Sequence, residues 1–100
     1  MEFITDNYNR LVKIKNLSKQ DEKIIIPEGI EIIGQSCFFA CKNIKEIVLP
    51  NSLKVIERMA FQNCFKLEKI NIPNSLILIE DQIRPDAYDT IKFFKEMMFK

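Results

Sequence analysis

Residues 47–53 read Ile47-Val48-Leu49-Pro50-Asn51-Ser52-Leu53, and 23 positions later residues 70–76 read Ile70-Asn71-Ile72-Pro73-Asn74-Ser75-Leu76. One further step back, residues 24–30 read Ile24-Ile25-Ile26-Pro27-Glu28-Gly29-Ile30. Proline thus recurs at 27, 50 and 73 with a constant spacing of 23 residues. The rest of the unit recurs with it: Ile33, Ile56 and Ile79 coincide, Phe38 falls on Phe61, Cys41 on Cys64 and Ile44 on Leu67. So many positions in one register mark an internal repeat, the signature of a stacked architecture.

The unit reads I-x-I-P-x-x-[IL]-x-x-I-x-x-x-[CA]-F-x-x-C-x-x-[IL]-x-x-I. Ile47 and Leu49 are two apart, so they share one face of a short strand while Val48 points the other way. Pro50 has no backbone donor for a further ladder bond and ends that strand. Leu53 and Ile56 turn inward again across a second short extended segment. Ala60, Phe61 and Cys64 have the spacing of one helical turn with its inner side apolar. No unit closes a core alone, so units stack and each position forms a ladder with its equivalent in the next coil.

This pattern resembles the BspA-like leucine-rich repeat, a 23-residue class in which Ala-Phe, Cys and Leu precede an Ile-x-Ile-Pro strand. The likeness spans about Lys23 to Glu80. Cys37 stands where the family usually has Ala, and Phe39 lies beside Phe38. The start, Phe3-Ile4-Thr5, Asp6-Asn7 and Leu11-Val12-Lys13-Ile14, is similar to the N-terminal hairpin that caps such arrays. The resemblance implies protein–protein recognition, often in surface proteins of bacteria and protozoa.

Composition narrows the chemistry. The chain has 100 residues, 47% hydrophobic and 29% charged, and its formal net charge is +1. That is the balance of an ordinary folded domain, with no field to steer it to nucleic acid or an acidic membrane. There is no histidine, which removes the commonest general acid–base, nucleophile-activating and metal-ligating devices. No apolar run approaches the roughly 20 residues of a membrane span. No secretory signal is legible in a start that carries Glu2 and Asp6, so the expected location is cytoplasmic. Three cysteines, Cys37, Cys41 and Cys64, are an odd count and read as buried free thiols, with a redox or metal role as the alternatives.

Candidate catalytic groups are thin. Asp21-Glu22, Glu80-Asp81 and Asp86 read as solvated carboxylates, and Ser52 and Ser75 sit where Asn-Ser is expected for turn chemistry. With glycine only at Gly29 and Gly34, neither a phosphate-binding loop nor a dinucleotide fingerprint is possible. Lys42, Lys45, Lys66 and Lys69 align along the stack, but Glu46 and Glu68 interrupt them.

Toward the C-terminus the repeat degenerates into Arg84-Pro85-Asp86-Ala87, and residues 85–100 are expected to form a helix with Pro85 and Asp86 at its start. Ala87, Ile91, Phe94 and Met98 make one face, suited to covering the third coil. Tyr88, Phe93, Met97 and Phe99 fall outside it, either as surplus apolar surface of the cap or as an interface. The repeat does not require Ile32, Val55 and Leu78 to be apolar, and alternation points them outward. Ile25 and Val48 form a shorter outward stripe that Asn71 ends.

The sequence therefore predicts an α/β fold: a short right-handed leucine-rich-repeat solenoid in one domain over residues 1–100. It comprises an N-terminal β-hairpin cap (1–22), about two and a half repeats (23–84) and a C-terminal capping helix (85–100). The expected function is non-catalytic protein–protein interaction through Ile25, Ile32, Val48, Val55, Leu78, Phe93, Met97 and Phe99. Alternatives are a homodimeric structural module and a small phage or mobile-element inhibitor that occludes a bacterial defence enzyme, which the Lys-, Ile- and Asn-rich composition suits. No cofactor, metal, nucleic acid or membrane partner is expected.

Overall fold

The computed structural model describes residues 1–38, 41–61 and 64–80. They form eight short strands: β1 (Glu2–Thr5), β2 (Arg10–Lys15), β3 (Lys23–Ile25), β4 (Ile32–Ile33), β5 (Glu46–Val48), β6 (Val55–Ile56), β7 (Lys69–Ile70) and β8 (Leu78–Ile79). Each coil gives one strand to each of two sheets, ordered β3-β5-β7 and β1-β2-β4-β6-β8. Pairing between coils is parallel and keeps the sequence period: Ile24 faces Ile47, which faces Ile70, and Ile33 faces Ile56, which faces Ile79. The core is a column, with Ile24, Ile33, Ile47, Leu53 and Ile56 all fully buried.

Proline sets the first corner. After Pro50 and Pro73 the chain turns at once, and the amides of Leu53 and Leu76 donate to the Pro50 and Pro73 carbonyls at 3.2 Å. In the first coil the same turn holds Gly29 at φ 101°, a backbone conformation that favours glycine.

The second corner corrects the sequence reading. The spacing of Ala60, Phe61 and Cys64 predicts a helical turn, yet no helix occurs among the described residues, and there the fold is β strands and turns rather than α/β. The chain rounds this corner by successive three-residue closures, Ala60 to Glu57 (3.3 Å), Cys64 to Phe61 (3.1 Å) and Leu67 to Cys64 (3.3 Å). A left-handed residue accounts for the lost helix. Met59 has φ 61° and its equivalent Ser36 has φ 55°, and one residue in that conformation breaks a right-handed run. The inward side is nevertheless as expected: the Phe38 and Phe61 rings stack at 5.0 Å and 12°, both buried. Such a stack is worth about 0.5–1.5 kcal/mol beyond its buried area. The helix expected over 85–100 lies outside the described residues.

The first coil is covered by the hairpin. β1 and β2 pair antiparallel, with a register shift between Ile4 and Thr5, and β2 then pairs parallel to β4 through Arg10 with Ile32 and Leu11 with Ile33. Leu11 and Ile14 of the hairpin are buried in the core. At the other end, Leu76 and Ile79 are only half-buried, whereas their equivalents Leu53 and Ile56 are fully buried by the coil that follows them.

Candidate functional site

Two outer faces flank the column. On the longer sheet Ile32, Val55 and Leu78 stand in register, Ile32 and Val55 half-buried and Leu78 48% exposed. The row beside it is polar at first: Asn9 Nδ2 donates to Glu31 Oε2 at 2.7 Å and Lys54 Nζ lies 2.9 Å from Glu31 Oε1. Lys54, then Asn9, holds the Glu31 carboxyl below its ordinary pKa. In the third coil this row ends in Ile77, which is 78% exposed. The apolar surface therefore widens toward Ile77 and Leu78. Ile77 is missing from the sequence-based candidates, although its equivalents Lys54 and Glu31 are charged and an aliphatic residue in that row is itself a signal.

On the shorter sheet Ile25, 61% exposed, faces half-buried Val48. The next equivalent, Asn71, bonds to the neighbouring backbone instead. Its side-chain oxygen accepts from the Leu49 amide at 2.6 Å and its nitrogen donates to the Leu49 carbonyl at 2.9 Å. An amide side chain there replaces a strand's backbone and satisfies both groups of Leu49. Beside this stripe charges alternate from coil to coil, Glu46 lying 3.9 Å from both Lys23 and Lys69, and Lys45 lying 3.5 Å from Glu22. Of the aligned lysines, Lys45 and Lys69 are thus paired with carboxylates. Phe93, Met97 and Phe99 lie outside the described residues.

A third cluster joins the hairpin to the coils. Asp6 accepts from the amides of Tyr8 (2.8 Å) and Arg10 (3.1 Å) and pairs with Arg10 Nη1 at 2.8 Å. The Tyr8 amide first, and Arg10 in addition, lower the Asp6 pKa, with desolvation opposing them. Arg10 then crosses above Gly34 and puts Nε 3.2 Å from Glu57 Oε1, an ion-pair distance without hydrogen-bond alignment. The shallow depression here, about 490 Å³, is lined by these charges with Val12 and Gln35; Arg10 Nη2 donates to Glu57 Oε2 at 3.4 Å, while its buried Nε has no hydrogen-bond partner among the described residues.

The hydroxyls of the two turn serines are used for folding. Ser52 Oγ donates to the Ile30 carbonyl at 2.7 Å and accepts from the Gly29 amide at 2.9 Å, and Ser75 Oγ donates to the Leu53 carbonyl at 2.6 Å. These hydroxyls bind one coil to the next, a role that turn chemistry alone does not reveal. Cys37, Cys41 and Cys64 are buried, and the Cys64 thiol donates to the Phe38 carbonyl at 3.6 Å. Burial, with Cys41 adding to it, pushes the Cys37 thiol up to about 12, and burial pushes Cys41 up to about 11. A thiol in that state is a packing group at neutral pH, because the thiolate is the reactive form. Among the described residues no cluster of carboxylates and thiols could hold a metal ion, and no helix is long and apolar enough to cross a membrane.

Coil period, paired sheets and the Phe–Cys corner together define the repeat class, and the family model described as the BspA type leucine rich repeat region (6 copies) matches residues 15–98. The chain belongs to the BspA type leucine-rich repeat family. The family match runs beyond Lys23 to Glu80 in both directions, into the end of β2 and past the described coils. Leucine-rich repeat proteins generally mediate protein–protein interaction and are generally non-catalytic. No curated protein and no solved structure matches this BspA type chain significantly.

Proposed function

We propose that this leucine-rich repeat chain is a non-catalytic recognition module whose anchor is the outward row Ile32, Val55 and Leu78, widened by Ile77. The row's register is what supports this reading. Parallel pairing at a constant period holds aliphatic side chains side by side on a rigid sheet, with the widest exposure at Ile77 and Leu78. Rigid presentation limits the entropy lost on binding, and clustered aliphatic groups supply the desolvation that anchors an interface. Ile25 and Val48 form a second, smaller anchor on the other sheet, and Phe93, Met97 and Phe99 belong to the proposed surface on their sequence pattern.

A second copy of the chain is the alternative occupant. The net charge of +1 offers little repulsion to self-association, and aliphatic rows of this kind pair readily. Light scattering of the purified chain across a concentration series separates the two. Val55→Asp places a charge in the row's centre while leaving the inward Ile56 in place. Under the recognition reading it abolishes capture of a partner and keeps the circular dichroism of the parent. Under the homodimer reading it converts a dimer to a monomer. An unfolded Val55→Asp chain, or unchanged capture and unchanged mass, refutes the anchor.

A further inference from the structure

A different surface lies at the turn that precedes the β7 strand. Phe65 and Lys66 form the tip of that turn, and Lys42 and Asn43 form its equivalent one coil earlier. Phe65 therefore stands where the preceding coil carries a lysine, at a position the repeat leaves to solvent, and it is 45% exposed. It opens onto a depression of about 420 Å³ lined with Lys45, Lys66, Leu67 and Glu68.

The charges around it are unequal in their availability. Glu22 is engaged by Lys45, and Glu46 is shared by Lys23 and Lys69. Lys42 and Lys66 have no carboxylate within ion-pair distance among the described residues. The remaining carboxylate of the depression is Glu68. An exposed phenyl ring thus lies beside the unpaired Lys66, with unpaired Lys42 at the ring's equivalent position one coil earlier, and these two cations exceed the one unpaired carboxylate of the depression, Glu68.

We infer that this turn docks an acidic peptide segment whose apolar side chain packs on Phe65 and whose flanking carboxylates pair with Lys66 and Lys42. The inference rests on the reading that the chain recognises protein, and it adds a site separate from the Ile32–Val55–Leu78 row. The apolar contact supplies desolvation and the lysines select the sign of the partner's charge.

The test is fluorescence anisotropy with a labelled short peptide that has a central Leu-Leu pair flanked by glutamates, and with its Lys-flanked and Ser-flanked counterparts. The Glu-flanked peptide binds, the Lys-flanked one does not, and affinity falls as salt rises. Phe65→Ser and Lys66→Glu each weaken binding by about tenfold or more. Glu68→Gln strengthens it severalfold, which an apolar patch of no charge preference would not do. Val55→Asp leaves it unchanged, so failure of the aliphatic row and failure of this site are distinguishable. Equal binding of all three peptides, or full binding by Lys66→Glu with native circular dichroism, overturns the inference, as does the absence of binding by the parent chain at millimolar peptide.

Discussion

Gly34 gives the most stringent test of how the hairpin is attached to the coils. Its amide donates to the Leu11 carbonyl at 2.9 Å, and a Cβ built on it would lie 2.7 Å from that same oxygen and 3.3 Å from Cγ and Cδ of Arg10. The arginine side chain can move, but the carbonyl is backbone and moves only if β2 shifts away from β4. Gly34→Ala therefore adds overpacking of about 1–3 kcal/mol. Weakening of the amide–carbonyl bond adds about 0.5–1.5 kcal/mol. The expected loss is about 1.5–4.5 kcal/mol, a large part of the roughly 5–15 kcal/mol typical of a folded domain. Urea denaturation reads the loss directly, and hydrogen exchange locates it in the amides of β2. Glu57 supplies the control. It occupies the equivalent position one coil on, its amide donates to the Ile33 carbonyl at 2.9 Å and it carries a side chain, so the need for glycine belongs to the hairpin junction and not to the repeat. Glu57→Ala loses a partly exposed ion pair and the long hydrogen bond from Arg10 Nη2, and costs about 0.5–1.5 kcal/mol. Arg10→Ala does not rescue Gly34→Ala, because the carbonyl remains. A Gly34→Ala chain within about 0.5 kcal/mol of the parent refutes the reasoning.

Three further outcomes follow from the same contacts. Ser52→Ala, which removes two hydrogen bonds, is expected to cost about 1–3 kcal/mol, and Ser75→Ala, which removes one, about 0.5–1.5 kcal/mol in urea titration; equal costs would contradict the bridging geometry. Met59→Asn replaces an exposed left-handed residue by one that tolerates that conformation and should raise stability by up to about 1 kcal/mol, measured as a higher midpoint in thermal unfolding. Cys37 and Cys41 have folded pKa values raised above the ordinary 9.0, so their contribution is complete below pH 9.0 and is lost as pH climbs toward about 12 for Cys37 and about 11 for Cys41. Melting temperature should fall across that alkaline window, and a thiol reagent at neutral pH should label the denatured chain far faster than the native one; rapid native labelling would contradict the burial.

Much of the fold is legible in the sequence because a repeat states each rule several times. The proline period predicts where strands end, Ile24, Ile47 and Ile70 predict the buried ladder, and Ile33, Ile56 and Ile79 predict the second one. The corner at Ala60 and Phe61 is not legible in the same way. Its apolar spacing fits a helix, and only the left-handed backbone at Ser36 and Met59, on two unlike residues, turns it into a chain of tight closures. The candidate surface divides similarly. Outward Ile32, Val55 and Leu78 follow from alternation, but Ile77 and Phe65 are seen only by comparing each position with its equivalents and then with the exposure that folding leaves it.

The period, the family, the column of inward side chains and the exclusion of histidine chemistry depend on residue type and spacing alone, so the chain's primary structure is enough to establish them. Which polar groups remain available is a consequence of folding. The folded chain assigns the Ser52 and Ser75 hydroxyls and the Asn71 amide to neighbouring backbone, neutralises Glu22, Glu31 and Glu46 with lysines, and leaves unpaired Lys66 beside an exposed ring. Satisfaction of a polar group depends on what lies within hydrogen-bonding distance after folding, and in a solenoid those neighbours come from the next coil, about one repeat away along the chain.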